Sequence, residues 1–213
     1  MTAVSAEDLI IELEPGAGAD CADLADTLRR LDVDRRAPEG TTPAPGPHKW
    51  GQAAFLCGDV FVKARYECTP ANRSIPFIGT SRETDAARLA LSVGLPTAAL
   101  LGRFSVRKDG LWLWSGTLYA RLIGYAHPDE SPEGVATVLR AVDMACRLGI
   151  SHPDMHAGNV LVKDKDIRLV DLAGLSLCTP GDPRATSAMA QKYFSLLQTD
   201  SAREQVRKYI YAL

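Results

Sequence analysis

Apolar and polar positions alternate most clearly between residues 53 and 66. Ala53-Ala54-Phe55-Leu56-Cys57 runs into Gly58-Asp59 and then into Val60-Phe61-Val62-Lys63-Ala64-Arg65-Tyr66. Two apolar runs around a glycine-containing turn predict paired strands. A period of two puts Phe61, Lys63 and Arg65 on one face and Val60, Val62 and Ala64 on the other. Helical spacing follows from about Ser81 to Val93. Thr80 and Glu83 stand at capping-box separation, Gly94 lies past the last apolar position, and Pro96 bars continuation. Strand-like runs at 98–106 and 111–123 are split by Lys108-Asp109-Gly110. Ser131-Pro132-Glu133 opens another helix with proline at its first position. Val135, Val138, Leu139, Val142 and Cys146 form its apolar stripe, and Gly149 ends it. Two short strands, Val160–Val162 and Ile167–Val170, flank a charged turn, and a final helical stretch is expected from about 185 to 212.

Ahead of the hairpin, Leu24, Leu28 and Leu31 recur at helical spacing, predicting a short helix from Asp20 to Leu31. Residues 37–47, rich in proline and glycine with no apolar side chain larger than alanine, read as a linker. The expected organisation is an N-terminal extension and linker (1–47), a β-rich first lobe with one helix (48–123) and a mainly helical second lobe (124–213). The fold class is α+β, with two unlike lobes and a cleft between them.

Composition narrows the function. The 213 residues carry 24 Lys and Arg against 26 Asp and Glu, a formal charge of −2. The basic footprint of a nucleic-acid binder is missing. No apolar run approaches the ~20 residues of a transmembrane helix. Met1 to Glu14 holds four acidic residues and no basic one, so no secretory signal is expected. Five scattered cysteines without a C-x-x-C pair speak against a disulfide framework or structural zinc, and point to a reducing cytoplasm.

The densest polar signal is His152-Pro153-Asp154-Met155-His156-Ala157-Gly158-Asn159, set between the long helix and the small hairpin, with Asp171 after the next strand. Phosphoryl transfer from a nucleotide needs a carboxylate to orient the attacking hydroxyl, hard oxygen ligands for Mg²⁺ and a lysine on the phosphates. Asp154, the pair Asn159 and Asp171, and Lys63 supply these types. Glu83 is placed to orient Lys63.

This pattern resembles the protein-kinase-like fold over about residues 50–213. His-x-Asp-x-His-x-x-Asn is the form found in small-molecule and lipopolysaccharide kinases. Val60-Phe61-Val62-Lys63, Arg82-Glu83, Gly94-Leu95-Pro96-Thr97, Leu169-Val170-Asp171-Leu172 and Met189–Leu197 are similar to the lipopolysaccharide kinase family of Kdo and heptose kinases. The resemblance implies ATP and Mg²⁺ as cofactors, Asp154 as catalytic base, Asn159 and Asp171 on the metal, and a Lys63–Glu83 ion pair. It implies a small-molecule or glycolipid sugar as acceptor and names no protein partner. Adenine is expected against the linking strand at Leu122 and Ile123, and the helix end with Arg203, Arg207, Lys208, Tyr209 and Tyr211 offers peripheral contact with the inner membrane surface. No G-x-G-x-x-G precedes Lys63, the metal motif reads Asp-Leu-Ala, and no Ala-Pro-Glu follows. The last speaks against a peptide substrate. A kinase of a soluble amino-alcohol or aminoglycoside, and a nucleotide-binding pseudokinase scaffold, are the competing readings.

Each residue also has a plainer reading. Lys63 alone is a solvated strand lysine, and Glu83 completes a capping box with Thr80. His152 and His156 read as structural, while Asn159 and Asp171 suit turns. Asp164, Lys165 and Asp166 read as a solvated turn, Trp112 and Trp114 as packing, and Arg203, Arg207 and Lys208 as an exposed helix face. The joint spacing, rather than any one residue, favours the chemistry.

Overall fold

The computed structural model describes residues 2–6, 8–17, 21–35, 37–44, 49–69 and 72–213. Asp20 and residues 45–47 of the predicted helix and linker lie outside them. The chain forms two compact units, one of residues 1–84 with 99–121 and one of 85–98 with 122–213.

The first unit is built on strands β1 (Thr2–Ala6), β2 (Leu9–Leu13), β3 (Thr42–Pro43), β4 (Gln52–Cys57), β5 (Val60–Tyr66), β6 (Leu100–Lys108) and β7 (Leu111–Ala120), with helix α1 (Cys21–Arg29). The strands form one antiparallel sheet in the order β1-β2-β6-β7-β5-β4-β3. The predicted hairpin is β4 and β5, and its alternation holds: Val60, Val62 and Ala64 are buried, with Phe55, Phe104, Trp114 and Leu118 in the same core. The segment read as an extension belongs to this core. Leu9, Ile11 and Leu13 of β2 and Leu24 and Leu28 of α1 are buried in it. Its strand pattern is hidden because Ile10 breaks the alternation within a run of only five residues. Thr42 and Pro43, inside the predicted linker, pair with Leu56 and Phe55 at the sheet edge, a position proline tolerates. Leu28 has no exposed surface. Leu28→Ala is expected to destabilise the protein by about 2–5 kcal/mol, read as a lower midpoint in urea.

Helix α2 (Ser81–Ser92) begins in the first unit and continues into the second. The second unit also contains α3 (Pro132–Arg147), β8 (Ile150–Ser151), β9 (Val160–Lys163), β10 (Asp166–Leu169), β11 (Ser176–Leu177), α4 (Pro183–Phe194) and α5 (Asp200–Tyr211). Ser131 caps α3, its hydroxyl accepting from the Gly134 N–H, and the predicted stripe from Val135 to Cys146 is buried. Helices α3, α4 and α5 pack on one another. The single helical stretch expected over 185–212 is instead two helices. The break is fixed by Glu130, whose carboxylate accepts from the Gln198 and Thr199 N–H groups, while Thr199 caps α5. The strand expected to reach residue 123 ends at Ala120, because residues 123 and 124 turn and Gly124 takes a positive φ. Among the described residues, no helix is long and apolar enough to cross a membrane.

Candidate active site

In the first unit, Lys63 is mid-strand, its backbone opposite Ala54 of β4 and Thr117 of β7. Its side chain leaves the sheet on the face opposite Val62 and Ala64. The Lys63 Nζ donates to Glu83 Oε2 at 2.7 Å and Oε1 at 3.0 Å. Tyr119, two residues beyond Thr117 on the same face, donates its hydroxyl to Glu83 Oε1 at 3.1 Å. Glu83 is buried, with a side chain 11% exposed, whereas that of Lys63 is 34% exposed. The capping-box reading of Glu83 does not hold: the Thr80 hydroxyl turns back to the Phe77 carbonyl, and Glu83 spends its carboxylate on Lys63 and Tyr119.

What brings Glu83 to that point is the segment from β5 to α2. Buried Glu67 accepts from the Ser115 hydroxyl at 2.6 Å, and Arg73 donates to the Glu67 carbonyl. The Phe77 N–H donates to Ser105 Oγ at 2.7 Å, with Phe77 held at φ 63°. These bonds pin the connection to β6 and β7 immediately before Glu83. Gly116, opposite Ala64 and Phe104, completes the support. A Cβ there would collide with the Phe104 ring and lie 2.6 Å from the Lys63 carbonyl oxygen.

In the second unit, the polar loop from His152 to Asn159 is anchored from below. Met155 has no exposed surface and His152 has 1%. The Asp154 N–H donates to His152 Nδ1, so the ring proton sits on Nε2 and faces the Val170 carbonyl at 3.4 Å. Burial pushes the His152 pKa down, consistent with a neutral ring that braces the loop. The β9–β10 register pairs Val160 with Leu169. Asn159 therefore ends the loop where Asp171 leaves the hairpin, and the Val170 N–H donates to the Asn159 carbonyl at 3.0 Å. Asp171 takes a left-handed backbone (φ 57°, ψ 60°), a region aspartate tolerates better than most residues.

Asn159 is buried and donates Nδ2 to the Asp154 carbonyl at 2.8 Å. That commitment leaves the amide oxygen as the atom that could meet a metal ion. Asn159 and Asp171 are thus a pair of hard oxygen donors, the small protein contribution that suits Mg²⁺ completed by phosphate and water. Among the described residues no group of three or more His, Cys, Asp or Glu forms a metal cage.

The Asp154 side chain is 55% exposed. Lys192 of α4 donates to its Oδ1 at 3.0 Å, and His156 Nε2 lies 3.5 Å from Oδ2. The Lys192 hydrogen bond holds the Asp154 carboxyl below the usual range, partly opposed by burial. A carboxylate so held is ionised and open to a hydroxyl group. Leu122 is half-buried and Ile123 is 62% exposed, with the Ile123 carbonyl accepting from Lys163. Asp166 is tied to Tyr125 and Arg168. In α5, Arg203 donates to the Leu197 carbonyl, while Arg207 and Lys208 pair with Glu204, in keeping with an ordinary helix face.

Sequence reasoning missed Tyr119 and Lys192. Tyr119 becomes visible only with the β5–β7 register, and Lys192 lay within the Met189–Leu197 motif without a partner to give it meaning.

No family model and no curated protein matches the chain. Solved structures similar to it include WaaP in complex with acyl carrier protein, 18% identical, covering 76% of this chain and 76% of that one at a TM-score of 0.48. A choline/ethanolamine kinase family protein from Mesorhizobium loti is 12% identical, with 78% and 70% covered and a TM-score of 0.47. Glucosamine kinase in complex with glucosamine, ADP and inorganic phosphate is 10% identical, with 75% and 62% covered and a TM-score of 0.43. With TM-scores below 0.5 these stand as likenesses.

Proposed function

We propose that this chain is a kinase of the protein-kinase-like fold that transfers the γ-phosphoryl group of ATP, with Mg²⁺, to a sugar hydroxyl. The observation that carries the reading is the β9–β10 hairpin. It sets Asn159 and Asp171 at adjoining strand ends and ties Asn159 to the backbone of a loop whose Asp154 carboxylate is open to solvent. In this reading Asp154 orients the acceptor hydroxyl and takes its proton. Asn159 and Asp171 hold Mg²⁺, which when bound neutralises charge on the phosphates. Lys63, held by Glu83, fixes the phosphate chain, and Leu122 and Ile123 meet the adenine. Positioning and electrostatics supply most of such catalysis.

The motif resemblance favours an acceptor in the lipid A–core region of lipopolysaccharide, reached from the inner membrane surface. Calorimetric titration of ATP tests the nucleotide half of this proposal. Binding should strengthen with Mg²⁺, and Asp171→Asn, which keeps a side chain tolerant of the left-handed backbone, should lose most of that magnesium dependence. Folded protein that binds no ATP under either condition would remove the kinase reading and leave a scaffold role. Phosphorylation of a soluble amino-alcohol or aminoglycoside in preference to core sugars would move the acceptor class.

A further inference from the structure

The loop from His152 to Asn159 contains no lysine or arginine, yet its aspartate has a cationic partner. Lys192 reaches Asp154 Oδ1 from α4. Helix α4 is docked for this contact: Met189, one turn earlier on the same face, accepts from the His152 N–H through its sulfur at 3.3 Å, and Met189, Ala190 and Tyr193 are buried. The backbone beneath Lys192 is therefore fixed against the loop, while its side chain remains 38% exposed. Stability gives this pair little purpose, because an exposed ion pair contributes only about 0–1 kcal/mol.

We propose that Lys192 is a catalytic residue that moves from Asp154 onto the transferring phosphoryl group; the proposal rests on the kinase reading above. In the step concerned, the acceptor oxygen forms a bond to the γ-phosphorus while the bond from that phosphorus to the bridging β-oxygen breaks. The acceptor proton passes to Asp154 and ADP leaves with the bond electrons. A base acts about 2.6–3.2 Å from the oxygen it deprotonates. A cation on that same carboxylate therefore stands beside the attacking oxygen. As Asp154 gains its proton it releases its hold on the ammonium, just as negative charge is shared over the phosphoryl oxygens. Lys192 then supplies from α4 the permanently charged group that the loop, with its histidines and no lysine or arginine, lacks.

The test compares wild type, Lys192→Arg, Lys192→Met and Lys192→Gln, each checked by thermal unfolding. Two quantities are read: ATP hydrolysis with water as acceptor, and binding of Mg-ADP with and without aluminium fluoride, which mimics the transferring group. Lys192→Met and Lys192→Gln should lower turnover by about 10²–10³-fold. They should lose most of the extra affinity that fluoride confers while binding Mg-ADP as wild type does. Lys192→Arg should retain a substantial part of both. Wild-type behaviour of the Met and Gln variants in both assays overturns the role of Lys192 and leaves the kinase reading intact. Equal loss of Mg-ADP and fluoride-complex affinity also overturns it, since that marks general anchoring. A folded wild type that neither binds Mg-ADP nor hydrolyses ATP overturns both proposals.

Discussion

Asp154→Asn should abolish phosphoryl transfer while leaving the protein folded and able to bind ATP. The substitution removes the proton acceptor and the negative charge that Lys192 and His156 face, and leaves the backbone of the loop as it was. Asn159 is bonded to the Asp154 backbone carbonyl, so the metal-side amide keeps its orientation. The Asp154 N–H still donates to His152. What the native side chain contributes to stability are exposed contacts with Lys192 and His156, so the melting temperature should move by less than about 4 °C. Loss of a positioned base lowers turnover by about 10²–10⁴-fold, measured as ADP release with acceptor present. Near-normal transfer by a folded Asp154→Asn protein would remove Asp154 from the role of base.

The second large effect concerns Lys63 and is asymmetric. Lys63→Met leaves Glu83 as a largely buried carboxylate with Tyr119 as its remaining hydrogen-bond donor among those described above. Stranding one member of a buried pair costs about 3–5 kcal/mol. Because a third of Lys63 is exposed, screening reduces this to about 1–3 kcal/mol. Glu83→Gln should cost less, since the ammonium can turn to water. The double variant Lys63→Met/Glu83→Gln should recover much of the lost stability, because no charge is stranded, yet it should not recover phosphoryl transfer. Urea unfolding and ADP release on the four proteins separate the two roles. Recovery of activity together with stability would show that the pair serves only to hold the sheet to α2.

The legible parts of this molecule are those where one local rule acts alone. Alternation over Val60–Tyr66 placed Lys63 on the face away from the core, and proline at the start with glycine at the end bounded α3. The polar loop and Asp171 stood out by spacing. The rest depends on contacts that no local pattern records. Leu9, Ile11 and Leu13 were masked by Ile10, so the first strands of the sheet were read as an extension. Glu83 fitted both a capping box and a pairing with Lys63, and tertiary structure chose the pairing, because a buried carboxylate gains more from Lys63 and Tyr119 than from a backbone N–H. The break before α5 is made by Glu130, a residue distant in sequence, and Lys192 acquires its partner only when α4 docks through Met189. The first unit thus carries the Lys63–Glu83 pair, and the second carries Asp154, Asn159 and Asp171.

Gly116 sets a different kind of limit. With Phe104 pressed against it and the Lys63 carbonyl 2.6 Å from where a Cβ would stand, the seat of the lysine is defined by a missing atom. Mutational drift can rewrite most of this sheet by exchanging one apolar side chain for another of similar volume. At this position the permitted alphabet shrinks to a single letter, and a lineage that lost it would have to rebuild two neighbouring strands at once.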